Sequence, residues 1–237
     1  MKNRMQKLSL LISFLLIQLG LLSQITEQKI FTPSREKLFT MGFSLGFNSM
    51  NFKINPSLEN IAIDSLYPKI GKSYPGITIQ YVTNLRLSKY FDVRFIPGVS
   101  FGQRRVRYYK NQILYNDRQM LESSFVELPI LLKYGYRISN YKPYIIGGLN
   151  YTYDFAGKKE YDESKPVYIR LERNDLYYEI GAGLDFYRPS FKFSVEIKMS
   201  IGTMDVIAHD PAPGHPQYAN AIDKMQSQMW ILAFYIE

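Results

Sequence analysis

The chain has 237 residues, a formal net charge of +8, 15% aromatic residues and no cysteine. That length suits one domain or at most two. The missing cysteine excludes disulfide stapling and lipid attachment at a cleavage-site cysteine. The positive excess is too small and dispersed for a nucleic-acid footprint, though it suits anionic headgroups and lipopolysaccharide.

The N-terminus reads as a secretory signal. Lys2, Arg4 and Lys7 precede an apolar run from Leu8 to Leu22, and Ser23 precedes Gln24 at a cleavage point. The expected division is a signal peptide over 1–23, a short periplasmic lead over 24–38 and a barrel domain over 39–237. Cleavage removes three basic residues, so the net charge falls from +8 to +5. Beyond this segment no apolar run reaches the length of a membrane helix, so a membrane role must come from strands.

Eight strands are predicted, over 39–52, 77–87, 91–106, 123–136, 143–156, 175–187, 191–204 and 226–236. Each alternates between two unlike faces. In the first, Phe39, Met41, Phe43, Leu45 and Phe47 oppose Thr40, Gly42, Ser44, Gly46 and Asn48. In the seventh, Phe191, Phe193, Val195, Ile197, Met199 and Ile201 oppose Lys192, Ser194, Glu196, Lys198, Ser200 and Gly202. The strands are long enough to cross a bilayer when tilted. Strand glycines also choose a side. Gly42, Gly46, Gly98, Gly102, Gly135, Gly148, Gly181, Gly183 and Gly202 fall on the polar face, and only Gly147 does not. A narrow barrel interior needs small residues beside large ones. Tyr90, Phe91, Tyr134, Tyr136, Tyr141, Tyr144, Phe186 and Tyr187 gather at strand ends, as in an aromatic girdle.

The connections alternate. Lys53–Gly76, Arg107–Glu122, Gly157–Asn174 and Asp205–Met225 are long, whereas Ser88–Tyr90, Arg137–Lys142 and Arg188–Ser190 are short. Together these features predict an all-β fold, an eight-stranded antiparallel up-and-down transmembrane β-barrel. It sits in the cell outer membrane with tight periplasmic turns and both termini periplasmic. Pro97 and Pro129 fall inside strands and predict a bulge or a water-satisfied carbonyl. Phe125 and Leu131 fall on the inner face, which implies either a register slip or a partly apolar interior.

The inner face collects charges of both signs: Arg86, Arg94, Glu127, Lys133, Glu179, Asp185, Glu196 and Lys198, with Asp92, Asp154 and Lys192 beside them. Such groups are costly to bury unless paired, so they read as a structural salt-bridge network filling the lumen. The same residues also admit a proton or ion path. No catalytic, cofactor or metal site is expected. The two histidines, His209 and His215, follow no ligand spacing, and Pro211, Pro213 and Pro216 make their loop extended rather than helical. The run from Arg104 to Lys110 is a basic–aromatic cluster that reads as a solvated loop base or as a contact for lipopolysaccharide phosphates.

Two stretches resemble the PorT (SprT) family of Bacteroidota outer-membrane barrels. Glu122–Gly135 reads E-S-S-F-V-E-L-P-I-L-L-K-Y-G, and Asn140–Tyr151 reads N-Y-K-P-Y-I-I-G-G-L-N-Y. The Arg-rich end of the third strand and the continuation at Asn150–Asp154 add to the resemblance. It implies a non-enzymatic component of the type IX secretion system, required for cargo export and gliding motility. The implied partners are outer-membrane lipid, lipopolysaccharide and other secretion-system proteins, with no nucleic acid and no small-molecule substrate. A stand-alone structural or adhesive barrel is the alternative. One departure from many such barrels is that Trp230, Phe234 and Tyr235 are set back from the terminal Ile236-Glu237.

Overall fold

The computed structural model describes residues 38–59, 65–111, 113–157, 168–208 and 215–237, and not the side chains of 117–119. The expected signal peptide and all but the last residue of the lead lie outside the described residues. One antiparallel sheet is built from β1 (Phe39–Pro56), β2 (Leu66–Ile70), β3 (Pro75–Arg86), β4 (Phe91–Phe95), β5 (Gly98–Lys110), β6 (Ile113–Gly135), β7 (Tyr141–Asp154), β8 (Asn174–Tyr187), β9 (Lys192–Gly202) and β10 (Ile222–Ile236). One short helix, α1 (Pro216–Asn220), precedes β10.

β1 pairs with β3 on one side and with β10 on the other, so the ladder closes on itself. The ring passes through eight staves, because β4 and β5 together form one broken strand between β3 and β6. Closure removes every sheet edge within the ring, which a strand-built membrane protein requires. No helix among the described residues is long and apolar enough to cross a membrane.

The faces follow the alternation. Phe39, Met41, Phe43, Leu45 and Phe47 of β1 are exposed on the outer wall, whereas Gly42, Ser44, Gly46 and Asn48 are buried inside. At the end with the short turns, aromatic rings meet in series around the outer wall. Tyr90 lies 5.8 Å from Tyr136, Phe91 5.0 Å from Tyr134, Tyr141 5.7 Å from Phe186 and Phe193 6.4 Å from Phe234. Tyr144 is not part of this girdle, because its position in the alternation buries it inside.

Several sequence expectations change. The break at Ile96–Pro97 is not a bulge. Phe95 still faces Ile130, and Gly98 still faces Glu127, three residues along on both strands. Ile96 N–H donates to Pro129 O and Tyr81 N–H to Pro97 O, so each proline costs only the reciprocal bond of its pair. Phe125 and Leu131 face inward without any register slip, so the interior is partly apolar. The segment 107–122 is not an irregular loop. β5 and β6 continue as a hairpin to a tight turn at Asn111, whose φ of 49° suits asparagine. The segment 53–76 contains β2, which pairs with β5. In the loop 205–225, Pro216 starts α1 instead of preventing a helix, because the first turn needs no proline N–H.

Inward glycines make room for large neighbours. A Cβ on Gly183 would collide with the Tyr144 phenol, whereas one on outward Gly147 would meet nothing nearer than Glu179 O at 3.5 Å. Gly183→Leu should therefore lower folded-state stability by about 1–3 kcal/mol through overpacking. Gly147→Ala should leave it unchanged or raise it. Heat-modifiability midpoints on gels measure both variants.

Candidate functional site

The alternation that faces apolar residues outward turns a set of ionised side chains inward from β4 to β9, with Glu237 just beyond β10. The narrow ring leaves no water layer to solvate them, so each needs a partner within the wall. At the turn end, Lys142 Nζ lies 2.6 Å from Asp92 Oδ2, and Lys133 Nζ lies 2.7 Å from Asp185 Oδ2. Ser194 adds a hydroxyl bond to Asp185 at 2.7 Å. Arg94 bridges two carboxylates, Glu196 and Glu237, each at 3.0 Å. Glu237 also accepts from Lys192 at 2.8 Å and from Thr40 at 2.9 Å.

Tyrosines complete this shell. The hydroxyls of Tyr144 and Tyr235 donate to Glu196 at 2.8 and 2.7 Å. Their ring faces take cations: Lys133 Nζ lies 3.6 Å from the Tyr144 centroid, and Arg94 Cζ lies 4.4 Å from that of Tyr235. Further along the barrel, Lys198 pairs with Glu179 at 2.9 Å, and Ser200 and Asn150 donate to the same carboxylate. Glu127 accepts from the neutral Gln80 amide at 3.0 Å.

Toward the long connections, Arg104 lies between the rings of Phe52 and Phe125, at 4.4 and 5.0 Å from their centroids. It pairs with Asp154 at 3.1 Å and donates to Ser123 and Ser227. Above it the interior becomes apolar. Phe52, Val106, Tyr108 and Leu121 of the wall pack with Ile169, Leu171, Val206 and Ile207 of the connections and with Tyr218 of α1. Tyr108 donates to Tyr218 O at 2.7 Å.

Seven of the eight residues singled out in the sequence are buried in this interior. Arg86 is not. It is half-buried at the end of β3, and its Nε donates to Ser88 O at the adjoining turn. Three participants escaped the sequence reading: Lys142, Arg104 and Glu237. Each lies an even number of positions from an inward neighbour (Tyr144, Gly102 and Tyr235), so the alternation carried the signal. Arg104 accordingly leaves the basic cluster of the outer rim. Of the two histidines, His209 lies outside the described residues, and His215 packs 4.2 Å from the Tyr168 ring. Among the described residues no group of three or more His, Cys, Asp or Glu is placed to hold a metal ion.

A closed ring with an apolar outer wall, an aromatic girdle and a paired ionic interior defines an integral β-barrel of the outer membrane. The chain belongs to the outer membrane protein beta-barrel domain family, whose model matches residues 23–208. Similar solved structures include outer-membrane proteins of comparable chain length. Ail of Yersinia pestis, crystallised with the heparin analogue sucrose octasulfate, is 15% identical over 83% of this chain and 96% of its own, with a TM-score of 0.38. Neisserial surface protein A is 12% identical over 82% and 96%, with a TM-score of 0.41. AlkL, solved in lipid bilayers, is 14% identical over 89% and 97%, with a TM-score of 0.45. A search of curated proteins finds no match.

Removing one member of a buried pair strands the other charge, at about 3–5 kcal/mol. Glu196→Ala, which leaves Arg94 only Glu237 as an ion-pair partner and takes the acceptor from two tyrosine hydroxyls, should lower the heat-modifiability midpoint well below that of the outer-wall variant Val195→Ala. Replacing both partners in Lys133→Met with Asp185→Leu should cost less than Lys133→Met alone.

Proposed function

We propose that this barrel is a non-enzymatic accessory of the type IX protein secretion system, acting beside the conducting pore and not as the pore. The observation that carries the reading is the filled interior. Arg94, Lys133, Tyr144, Tyr177, Lys198 and Tyr235 are buried within the ring, and an apolar cap covers the end with the long connections. An eight-stranded barrel has room only for its own side chains, so folded cargo has no route through it. The resemblance of Glu122–Gly135 and Asn140–Tyr151 to the PorT (SprT) family supplies the secretion role. These stretches lie on β6 and β7, which pair along the wall. The protein then contributes through its outer wall, turns and loops, as an assembly factor or stabilising partner for other outer-membrane secretion components.

In this reading residues 1–23 are a cleaved signal, and both termini face the periplasm. The short connections, at one end of the ring, support that orientation, since periplasmic turns are short and extracellular loops long. Single cysteines at Glu59, Asn111 and Asn220 should react with an impermeant thiol reagent on intact cells, whereas one at Ser139 should not. Labelling at Ser139 alone reverses the orientation.

Deletion of the gene should trap unrelated type IX cargo inside the cell and lower the amount of other outer-membrane secretion components. The purified barrel should show no large conductance in planar bilayers. Normal cargo export in the deletion strain favours a stand-alone structural or adhesive barrel instead, and a wide stable pore overturns the accessory role.

A further inference from the structure

Gly147 makes room for nothing in its own chain. It faces outward, and a Cβ placed on it would have no close neighbour, with Glu179 O the nearest atom at 3.5 Å. Glycine is a poorer strand residue than alanine, so the fold itself gains nothing from it here. The ladder sets Gly147 between Leu132 and Ile180 and carries the row on to Met199 and Trp230. One outward step toward the turns, Ala182 lies between Ile145 and Ile197. These two small residues floor an open groove of about 610 Å³ on the outer wall, flanked by Leu132, Ile180, Met199 and Trp230. Tyr134, a ring of the girdle, stands at its other end. Lys198 also borders the groove, but its ammonium lies inside the ring with Glu179, so no charged group faces the groove.

The depth of the groove follows from the strands. Gly147 lies six positions beyond Tyr141 along β7, and Ile180 lies six before Phe186 along β8, where Tyr141 and Phe186 are paired girdle rings. At about 3.3 Å per residue and a tilt near 40°, six positions rise about 15 Å. The apolar band of such a barrel is about 25 Å tall, so the floor lies near the bilayer mid-plane. The groove therefore extends from headgroup level at Tyr134 to the mid-plane, which is the depth of one leaflet.

We propose that this groove is a resident lipid site. It holds one acyl chain of a glycerophospholipid of the turn-side leaflet, with the headgroup level with Tyr134 and the chain end against Gly147 and Trp230. The groove is continuous with the wall that already lies against hydrocarbon, and its length matches a single chain. Its floor offers no hydrogen bond to a polar ligand and lies too deep for a headgroup. A chain that enters it leaves one apolar surrounding for another, so the preference comes from van der Waals contact on the floor and both sides, set against the entropy of ordering one chain. The site rests on the fold, and neither the secretion role nor the orientation enters it.

Trp230, the single tryptophan, flanks the groove and reports on its occupant. The purified full-length barrel in detergent micelles is titrated with phosphatidylcholine brominated near its chain ends. A chain that samples the wall at random quenches Trp230 in proportion to its share of the micelle. The held chain should quench at least about twofold more at low mole fraction. Bromines placed beside the headgroup should quench less. The variant Gly147→Leu with Ala182→Leu fills the groove from outside and leaves the bore untouched. It should keep the native heat-modifiability midpoint and return to proportional quenching, and Gly147→Leu alone should fall between. Proportional quenching in the wild type, or equal excess quenching in wild type and filled variant, overturns the site. In intact outer membranes, a photoreactive residue in place of Ala182 should label lipid. A discrete protein adduct there instead gives the groove to a partner's wall and rejects the acyl chain as its occupant.

Discussion

The hydrocarbon core of a membrane offers no hydrogen-bond partner, so a backbone N–H or C=O left open there costs several kcal/mol. The pairing of β1 with β10, from Phe43 opposite Ile236 to Pro56 opposite Ile222, is where this protein meets that requirement. It joins the first and last strands of the ring and leaves no edge between them. Closing a ring of eight staves also fixes its bore at a width that side chains must fill. Everything inside the wall follows from those two demands.

The interior is filled largely with ions, and the pairing pattern shows what this gains. Arg94 on β4 reaches Glu196 on β9, 102 positions along the chain. Lys133 on β6 reaches past β7 to Asp185 on β8, and Lys142 on β7 reaches past β6 to Asp92 on β4. These contacts join strands that are not neighbours in the ladder. A slip of one residue in any stave from β4 to β9 would turn its inward charges to lipid, so the network penalises wrong registers more than it stabilises the right one. Phe125 and Leu131, which look misplaced on a polar face, belong to the same packing. Phe125 covers the Arg104 guanidinium, and Leu131 packs in the cluster with Tyr144 and Ile146. With the bore occupied and its far end capped, the surfaces left for partners are the outer wall, the turns and the loops.

The faces of the strands were legible because alternation has a period of two and needs no knowledge of partners. Phe39 to Phe47 and Phe191 to Ile201 are sufficient to assign inside and outside, and the nine inward glycines add the narrowness of the bore. Who pairs with whom inside was not legible, because it depends on distances across the ring and not along the chain. Glu237 illustrates this: the alternation places it inside, but only the closed ring brings Arg94, Lys192 and Thr40 around it. The strand β2 escaped notice because five residues containing a proline show no usable period. The continuation of β5 and β6 past the membrane escaped because polar residues there read as loop, although Val106 and Tyr108 kept the inward phase. The prolines at 97 and 129 predicted a bulge or a water-satisfied carbonyl, but both carbonyls accept backbone N–H groups, and each proline removes only one bond of a pair, so the register survived.

The central claim is that the face carrying Phe43, Ile197 and Trp230 lies against lipid and the charged face lies inside. The single tryptophan, Trp230, is 48% exposed on the outer wall, which makes its fluorescence a direct reporter. The protein is refolded into vesicles of phosphatidylcholine with brominated acyl chains, and its emission is compared with that in unbrominated lipid and in the presence of aqueous iodide. The account expects strong quenching by the brominated chains and little by iodide. Quenching by iodide with none from the brominated chains would place Trp230 in water and contradict the assignment of the two faces.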